Sequence, residues 1–182
     1  MLSAMTRTSL HLGDITDHDV DVVVTAANAS LLGGGGVDGA VHRAGGPAVL
    51  AACQGLIAST YGPAGLPTGA AVATTAGRMP ARHVVPTVGP VYGEDEDGPG
   101  LLAACHRASL RVADDLAAAS VAFPAISTGS HGWPIEEAAA IAVRAVADAV
   151  TPVADVRFVL FDQDVYDAFA AALTASGHHP RG

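Results

Sequence analysis

A glycine-rich loop at residues 26–39 carries the residue types best suited to chemistry. Four successive glycines, at positions 33–36, stand between Asn28 and Asp38. Contiguous glycines cost backbone entropy on folding, and that cost is justified where the chain must approach a ligand closely with free N–H groups. A helix that begins near Asp38 adds the positive end of its dipole, which suits a phosphate. A flexible connection without function is the alternative interpretation of the glycines alone.

A second loop, residues 127–134, has the same character. It contains small residues and two glycines, and Pro134 suits the first turn of a following helix. Loops of this kind form concave anion sites from backbone N–H groups. Two of them, each where a strand passes into a helix, indicate a ligand with two phosphates or with a phosphate and a sugar. Neither loop requires a cation, which agrees with the complete absence of lysine.

Short apolar runs alternate with Ala-rich stretches, and this alternation predicts the elements that position the loops. The runs are rich in Val and Ile at consecutive positions, which is typical of strands buried on both faces. We predict strands at Ser9–Leu12, Val20–Ala26, Ala70–Thr75, His83–Val88, Val121–Ile126 and Arg157–Phe161. We predict helices at Asp38–Gln54, interrupted by Gly45-Gly46-Pro47, and at Gly100–Ala118, Pro134–Ala149 and Asp164–Ser176. The pattern favours a layered α/β domain with a largely parallel or mixed sheet, in which ligands bind beyond the carboxyl ends of the strands.

The overall composition excludes several classes of protein. The chain of 182 residues is half hydrophobic and 15% charged, which predicts one folded domain over residues 1–182, with the first few residues and 177–182 frayed. Its net charge of −9 argues against a general surface for duplex DNA. No segment has the roughly 18 consecutive apolar residues of a membrane span, and the N-terminus lacks a signal-peptide core. We therefore expect a soluble, cytoplasmic protein.

Individual residue types exclude particular chemistries. The absence of lysine excludes Schiff-base catalysis and the phosphate-binding lysine of a P-loop. Cys53 and Cys105 are too far apart to indicate a zinc ribbon or a disulfide framework, and the histidines lack metal-ligand spacing. We expect neither a metal nor a cofactor. A nucleotide-dependent oxidoreductase is also disfavoured, since the glycines are contiguous rather than spaced as in a dinucleotide fingerprint.

An ordered set of motifs resembles the macrodomain family, in particular its MacroD type. The motifs are the loop from Asn28 through Asp38-Gly39-Ala40-Val41-His42-Arg43, the turn Gly13-Asp14-Ile15-Thr16, and the segments Pro67-Thr68-Gly69, Thr87-Val88-Gly89-Pro90, Ala125-Ile126-Ser127-Thr128-Gly129 and Phe158-Val159-Leu160-Phe161. The resemblance runs from about Leu10 to Phe169. It implies a three-layer α/β/α macrodomain with a central mixed, largely parallel sheet.

The resemblance implies a metal-independent hydrolase that binds ADP-ribose. Proteins of the MacroD type hydrolyse the ester between ADP-ribose and Glu or Asp side chains, and they deacetylate O-acetyl-ADP-ribose. The implied partners are ADP-ribose and ADP-ribosylated proteins, with ADP-ribosylated nucleic acid open as a further substrate and no membrane partner. The alternative is a non-catalytic module that reads ADP-ribose without turning it over, as some macrodomains do.

Roles for individual residues also follow from the resemblance. Asp14 accepts a hydrogen bond from the adenine amino group, or caps a local turn; Phe161 packs against adenine, or belongs to the core. Asn28 and Asp38 form the catalytic pair at the distal ribose. There Asp38 orients or deprotonates a water with help from a ligand phosphate, binds the ribose, or caps the helix. His42, one helical turn beyond Asp38, supports the site from behind. The implied substrate-binding residues are Gly13, Asp14, Ile15, Ala26, Ala27, Asn28, Gly33, Gly34, Gly35, Gly36, Val37, Asp38, Ser127, Thr128, Gly129, Ser130, His131, Gly132, Trp133 and Phe161.

Three positions depart from the family's pattern. Thr25 stands where the family's loop begins with Asn. The retained Asn28 still supports catalysis, but the loss of the first amide leaves open how the loop is held in place. His131 replaces a Tyr or Phe over the distal ribose, so weaker stacking and some pH dependence are expected, and Trp133 either compensates or serves as a core anchor. Pro86 replaces a histidine of many relatives, so any role of that histidine is absent. The retained Asn28, the four glycines and Asp38 favour the enzyme over the reader.

Overall fold

The centre of the molecule is a six-stranded sheet; the structure, a computed structural model, describes residues 5–177. Its strands are β1 (Arg7–Leu12), β2 (Val22–Ala26), β3 (Thr74–Thr75), β4 (His83–Thr87), β5 (Ser120–Phe123) and β6 (Asp155–Leu160), in the order β1-β6-β5-β2-β4-β3. All neighbours are parallel except β3, which runs antiparallel to β4 at one edge. The predicted mixed, largely parallel sheet is therefore confirmed.

Helices cover both faces of this sheet. They are α1 (Gly36–Gly45), α2 (Pro47–Leu56), α3 (Gly98–Asp115), α4 (Ile135–Asp148) and α5 (Gln163–Ala175), and Gly46 separates α1 from α2 as the Gly-Gly-Pro signal predicts. Short 3₁₀ turns lie at Ile15–Asp17 and Gly62–Ala64, and α2 continues into a wider helical turn at Ile57–Tyr61. Within residues 5–177, no helix combines the length and the apolarity that crossing a membrane requires.

The apolar runs of the strands supply cores on both sides of the sheet. In β2, Val22 and Val24 pack in the cluster that includes Leu102 of α3 and Phe169 of α5, whereas Val23 packs in the cluster that includes Val41 of α1. Successive side chains of a strand point to opposite faces, so a run of consecutive apolar residues is what a sheet covered on both faces requires. The three-layer α/β/α arrangement follows.

One predicted strand, Ala70–Thr75, is mostly wrong. Only Thr74 and Thr75 belong to β3, with a single isolated bridge from Ala71 to Thr87 before them. Pro86 of β4 accepts a hydrogen bond from the Val72 N–H, so this side of Pro86 faces the segment. In an extended strand the N–H and C=O of a residue point to the same side, and proline has no N–H to donate. The missing donor interrupts the ladder at this point.

The other predicted elements are present, with ends shifted by up to three residues. Pro134 precedes α4 as its N-terminal cap residue instead of lying in the first turn. Phe161 is the first residue after β6. The fraying predicted for the first few residues and for 177–182 concerns residues outside the described ones, apart from Gly177.

Candidate functional site

A cleft of about 760 Å³ lies at the carboxyl edge of the parallel strands. The segments that follow β1, β2, β4, β5 and β6 form its walls, because parallel strands all end at the same edge of a sheet. The structure brings most of the predicted binding residues together here: Gly13, Asp14, Ile15, Ala26, Ala27, Asn28, Gly34, Gly35, Gly36, Val37, Asp38, Ser127, Thr128, Gly129, Ser130, His131 and Phe161. Gly33, Gly132 and Trp133 do not line it.

The glycine loop packs tightly against the first turn of α1. Gly35 caps the helix, and its carbonyl accepts a hydrogen bond from the Gly39 N–H at 3.2 Å. A Cβ on Gly39 would lie 2.3 Å from the carbonyl oxygen of Gly34, so only glycine permits this approach. Asp38 lies within the first turn of α1, and the suggestion that it caps the helix is wrong. Asp38 is nevertheless one of the residues that line the cleft.

The carboxylate of Asp38 is buried, and its two oxygens have different surroundings. Asp38 is 4% exposed and Thr25, on β2, is 1% exposed. The Thr25 hydroxyl donates a hydrogen bond to Asp38 Oδ1 at 3.0 Å, and His42 Nε2 lies 3.8 Å from the same oxygen. Oδ2 is buried and has no hydrogen-bond partner among the described residues. An unpartnered buried carboxylate oxygen is costly, which marks it as a position for a ligand or a water.

The surroundings of Asp38 also adjust its acidity. Burial raises the pKa of the Asp38 carboxyl, while the charge of His42 and the hydrogen bond from Thr25 act in the opposite direction. A raised pKa makes the carboxylate a better general base than an exposed aspartate. Nearby, burial and then the charge of Asp38 raise the pKa of the Cys53 thiol on α2 to about 11. Cys53 is therefore protonated at neutral pH and is not a nucleophile.

His42 packs against the glycine loop. A Cβ on Gly33 would lie 3.4 Å from the His42 ring, so the ring packs directly against this glycine. Gly33 thus contacts His42 and lies outside the cleft lining, contrary to the prediction that it binds the ligand. The pair holds the side of the loop that faces away from the cleft.

Asn28 lies in the cleft beside the glycine loop. Its side chain is exposed, and a Cβ on Gly34 would lie 3.2 Å from its Nδ2. The Asn28 carbonyl accepts a hydrogen bond from the N–H of Leu31, and the buried Leu31 side chain anchors the loop in the core. The amide therefore keeps its donors and acceptors for a ligand while the backbone around it is fixed.

Asp14 and Phe161 lie at the ends of neighbouring strands β1 and β6. Asp14 Oδ1 accepts hydrogen bonds from both the N–H and the hydroxyl of Thr16, which confirms the alternative that it caps a local turn. It also lines the cleft, so the two roles are compatible. Phe161 is 80% exposed, and the alternative that it belongs to the core is wrong. An exposed aromatic face beside a carboxylate suits a flat heterocycle with an exocyclic amine.

The second loop is held by its own hydrogen bonds. The N–H of Trp133 donates to the Ser127 carbonyl at 3.1 Å, and the N–H of Gly132 donates to Gly129 at 3.0 Å. Ser127 has a left-handed backbone with φ +66° and packs against Gly89, where a Cβ would lie 2.1 Å from the Ser127 Oγ. Gly89 lines the cleft and is not among the predicted residues. Its position just beyond β4, at the carboxyl edge, is the sequence signal that could have found it.

Trp133 belongs to the core and not to the binding surface. It is 4% exposed, its indole N–H donates to the Pro90 carbonyl at 3.0 Å, and its ring meets Tyr92 edge-on at 5.1 Å. The prediction that Trp133 binds the substrate is wrong, and it does not compensate for the missing aromatic at His131. His131 does line the cleft, and its carbonyl accepts a hydrogen bond from the Tyr92 N–H at 2.8 Å.

Arg43 is a cleft residue that is not among those predicted from the sequence. It is exposed, lines the cleft and has no ion-pair partner among residues 5–177. A Cβ on Gly39 would lie 3.1 Å from its Nη1, so the guanidinium lies over the start of α1, beside the glycine loop. The spacing of four residues from Gly39 is the helical signal for this placement. The expectation that the loops need no cation is thus modified, because the positively charged side chain of Arg43 lines the cleft.

The described part of the chain contains no group of three or more His, Cys, Asp or Glu side chains that could hold a metal ion. The arrangement can instead bind an elongated anionic ligand. It has backbone N–H groups and a guanidinium on one wall, a carboxylate and an aromatic ring beyond β1 and β6, and a buried carboxylate with an unpartnered oxygen beyond β2.

Comparisons with known proteins agree with this arrangement. A family model described as Macro domain matches residues 24–142. A Macro domain-containing protein of Streptomyces griseus is 63% identical, covering 88% of this chain and 91% of its own. A protein of Salmonella gallinarum named O-acetyl-ADP-ribose deacetylase is 48% identical, covering 92% and 94%. The structure of an Oceanobacillus iheyensis macrodomain with ADP has a TM-score of 0.87 at 40% identity, covering 92% and 90%.

Proposed function

The chain belongs to the Macro domain family, and we propose that it is an ADP-ribose-binding hydrolase acting on esters of ADP-ribose. The substrates are O-acetyl-ADP-ribose and proteins that carry mono-ADP-ribose on Glu or Asp. A relative at 48% identity is named O-acetyl-ADP-ribose deacetylase, and a structural neighbour at 40% identity is described with ADP. The observation that carries the proposal is the buried Asp38 carboxylate, whose Oδ1 is held while Oδ2 has no partner in the described chain.

Binding of the nucleotide uses the two ends of the cleft differently. Asp14 and Phe161 meet the adenine, the first through its carboxylate and the second through its ring. The glycine loop and the loop that begins at Ser127 present backbone N–H groups to the diphosphate. Arg43 adds a positive charge beside the glycine loop, which offsets part of the protein's net charge of −9 where the anion binds.

Hydrolysis takes place at the distal ribose, next to Asn28 and Asp38. Asn28 positions the ribose hydroxyls, and Asp38 Oδ2 orients a water and accepts its proton, with a ligand phosphate sharing the water. The net reaction adds water across the ester bond and gives ADP-ribose and a carboxylic acid, which ionises to acetate or to the side-chain carboxylate of the target protein and releases a proton. Because burial raises the pKa of Asp38, its carboxylate is better matched to this proton transfer than a free aspartate.

The decisive experiment follows release of ADP-ribose over time from O-acetyl-ADP-ribose and from a protein mono-ADP-ribosylated on glutamate. Replacement Asp38→Asn should lower kcat by about 100-fold or more, since loss of a general base has effects of that size. Calorimetric titration with ADP-ribose should still show binding. The matched control is Asp164→Asn, which removes an exposed carboxylate from the first turn of α5, outside the cleft lining.

Each result has a defined meaning for the proposal. Turnover that is lost in Asp38→Asn and kept in Asp164→Asn supports the hydrolase. Turnover unchanged in Asp38→Asn removes Asp38 from the mechanism. Binding of ADP-ribose without turnover by the unaltered chain replaces the hydrolase with a reader of ADP-ribose.

A further inference from the structure

The threonine at position 25 is brought to Asp38 by the alternation of β2. Val24 packs among side chains of the α3–α5 layer, so the next residue, Thr25, faces the other side of the sheet, where α1 begins. Both Thr25 and Asp38 are almost completely buried. Solvent therefore does not compete for the hydrogen bond of 3.0 Å between them.

The direction of this hydrogen bond is set by chemistry. An ionised carboxylate only accepts hydrogen bonds, so the Thr25 hydroxyl must be the donor. Hydrogen bonds to charged acceptors are stronger than those between neutral groups. Threonine is also β-branched, which restricts its first side-chain torsion and limits where the hydroxyl can point. A serine would supply the same donor with less restriction, and a valine would keep the shape without the donor.

We propose that Thr25 is a positioning residue for Asp38: its hydroxyl holds Oδ1, and this leaves Oδ2 as the oxygen that meets the reacting water. The inference rests on the proposed function, in which Asp38 Oδ2 handles that water. Without the Thr25 donor, no hydrogen bond among the described residues distinguishes the two oxygens of Asp38. His42 alone is a weaker restraint, since its Nε2 lies 3.8 Å from Oδ1.

The titratable groups around Asp38 determine how this positioning can be measured. His42 faces the carboxylate from α1, and the Cys53 thiol lies near it on α2. Neither group changes when Thr25 is replaced, so a change in the Asp38 titration reports on the hydroxyl itself. Loss of a donor to the ionised form raises the pKa of a carboxyl.

The experiment compares Thr25→Val and Thr25→Ser with a matched control, Thr87→Val. Thr87 lies on the neighbouring strand β4, is fully buried, and donates its hydroxyl to the Ala70 carbonyl at 2.8 Å. Its replacement also removes a threonine hydroxyl donor from a buried strand position, but the acceptor there is a neutral backbone carbonyl and not Asp38. We expect Thr25→Val to lower kcat by about 10- to 100-fold, with KM and the ADP-ribose Kd within about threefold. Thr25→Ser should restore most of kcat, and Thr87→Val should leave it unchanged.

A second measurement does not depend on turnover. The Asp38 carboxyl carbon is titrated by NMR, with its signal identified by its loss in Asp38→Asn. In Thr25→Val its midpoint should move to higher pH by about one unit or more, and the acid limb of the kcat profile should move with it. Thr87→Val and Thr25→Ser should leave the midpoint close to that of the unaltered chain.

The outcomes separate this inference from the proposed function. A wild-type kcat and an unmoved Asp38 midpoint in Thr25→Val overturn the positioning role. Equal losses of kcat in Thr25→Val and Thr87→Val also overturn it, because they indicate a general effect on the fold. If the unaltered chain shows no turnover, the proposed hydrolase fails, and the NMR titration alone decides whether Thr25 holds Asp38.

Discussion

Replacement of Gly39 by alanine should disable the cleft while the fold remains intact. The added Cβ would lie 2.3 Å from the carbonyl oxygen of Gly34 and 3.1 Å from Nη1 of Arg43. The Arg43 side chain can move away, but the carbonyl belongs to the backbone. The Cβ and this oxygen would be closer than van der Waals contact by about 1 Å. The glycine loop and α1 must therefore separate by a similar amount.

The size of the effect follows from this displacement. A shift of about 1 Å in a catalytic arrangement typically reduces turnover by roughly 100-fold, and we expect a loss of that order. The affinity for ADP-ribose should fall at least about tenfold, since loop N–H groups would leave hydrogen-bond distance. The free energy of unfolding should fall by only about 1–2 kcal/mol, because alanine's better helix propensity offsets part of the steric cost.

The assay is calorimetric titration with ADP-ribose, at a temperature where urea titration shows each variant fully folded. The matched control is Gly55→Ala in α2. Gly55 does not line the cleft, and a Cβ there would meet no atom within 4 Å. This control should bind ADP-ribose like the unaltered chain. Undiminished affinity and turnover in both variants would contradict this prediction, because the loop would then not depend on its contact with α1.

Two further predictions concern pH and charge. His106 lies in α3 and is buried, and burial lowers its pKa to about 4 from the ordinary 6.5. Because the ring takes up a proton on unfolding, the free energy of unfolding should decrease by about 3 kcal/mol as the pH falls from 6.5 to 4. Urea titrations across this range should show the decrease in the unaltered chain and a shallower one in His106→Leu; equal slopes would contradict it. Arg43→Gln should weaken ADP-ribose binding by about tenfold and reduce the dependence of that binding on salt concentration. Titrations with ADP-ribose at low and high salt would check this, with Arg111→Gln on the exposed surface of α3 as the control. Equal salt dependence in the two variants would show that Arg43 does not meet the anion.

Much of the fold could be predicted because its signals are local. Consecutive valines at 22–24 predict a strand covered on both faces, and both cores are present. The Gly-Gly-Pro signal at 45–47 predicts the break between α1 and α2. The failure at Ala70–Thr75 has a non-local cause, because the interrupted ladder depends on Pro86, which belongs to a different strand. An apolar run does not reveal which residue will lie opposite it.

The residues of the cleft were predictable to the extent that they follow strands directly. Asn28, Asp38 and the loop from Ser127 come after β2 and β5, and parallel strands bring such segments to one edge. Arg43 was not assigned, because its side chain returns to the cleft from within α1. Trp133 was assigned wrongly, because its position in a loop does not show that its indole N–H reaches Pro90, 43 residues away.

Alternation and loop composition act over a few residues, and they are enough to predict the layered α/β class and the two glycine loops. The pairing of Asn28 with Asp38 rests on the resemblance to macrodomains. The contacts of Asp38, by contrast, depend on the packing of distant segments. Thr25 is 13 residues away and on a different element, and it reaches Oδ1 because the alternation of β2 and the close approach at Gly39 bring strand and helix together. Burial of that pair leaves Oδ2 without a partner among the described residues and raises the pKa of the carboxyl. Both properties arise from packing between distant segments, which no short stretch of sequence contains.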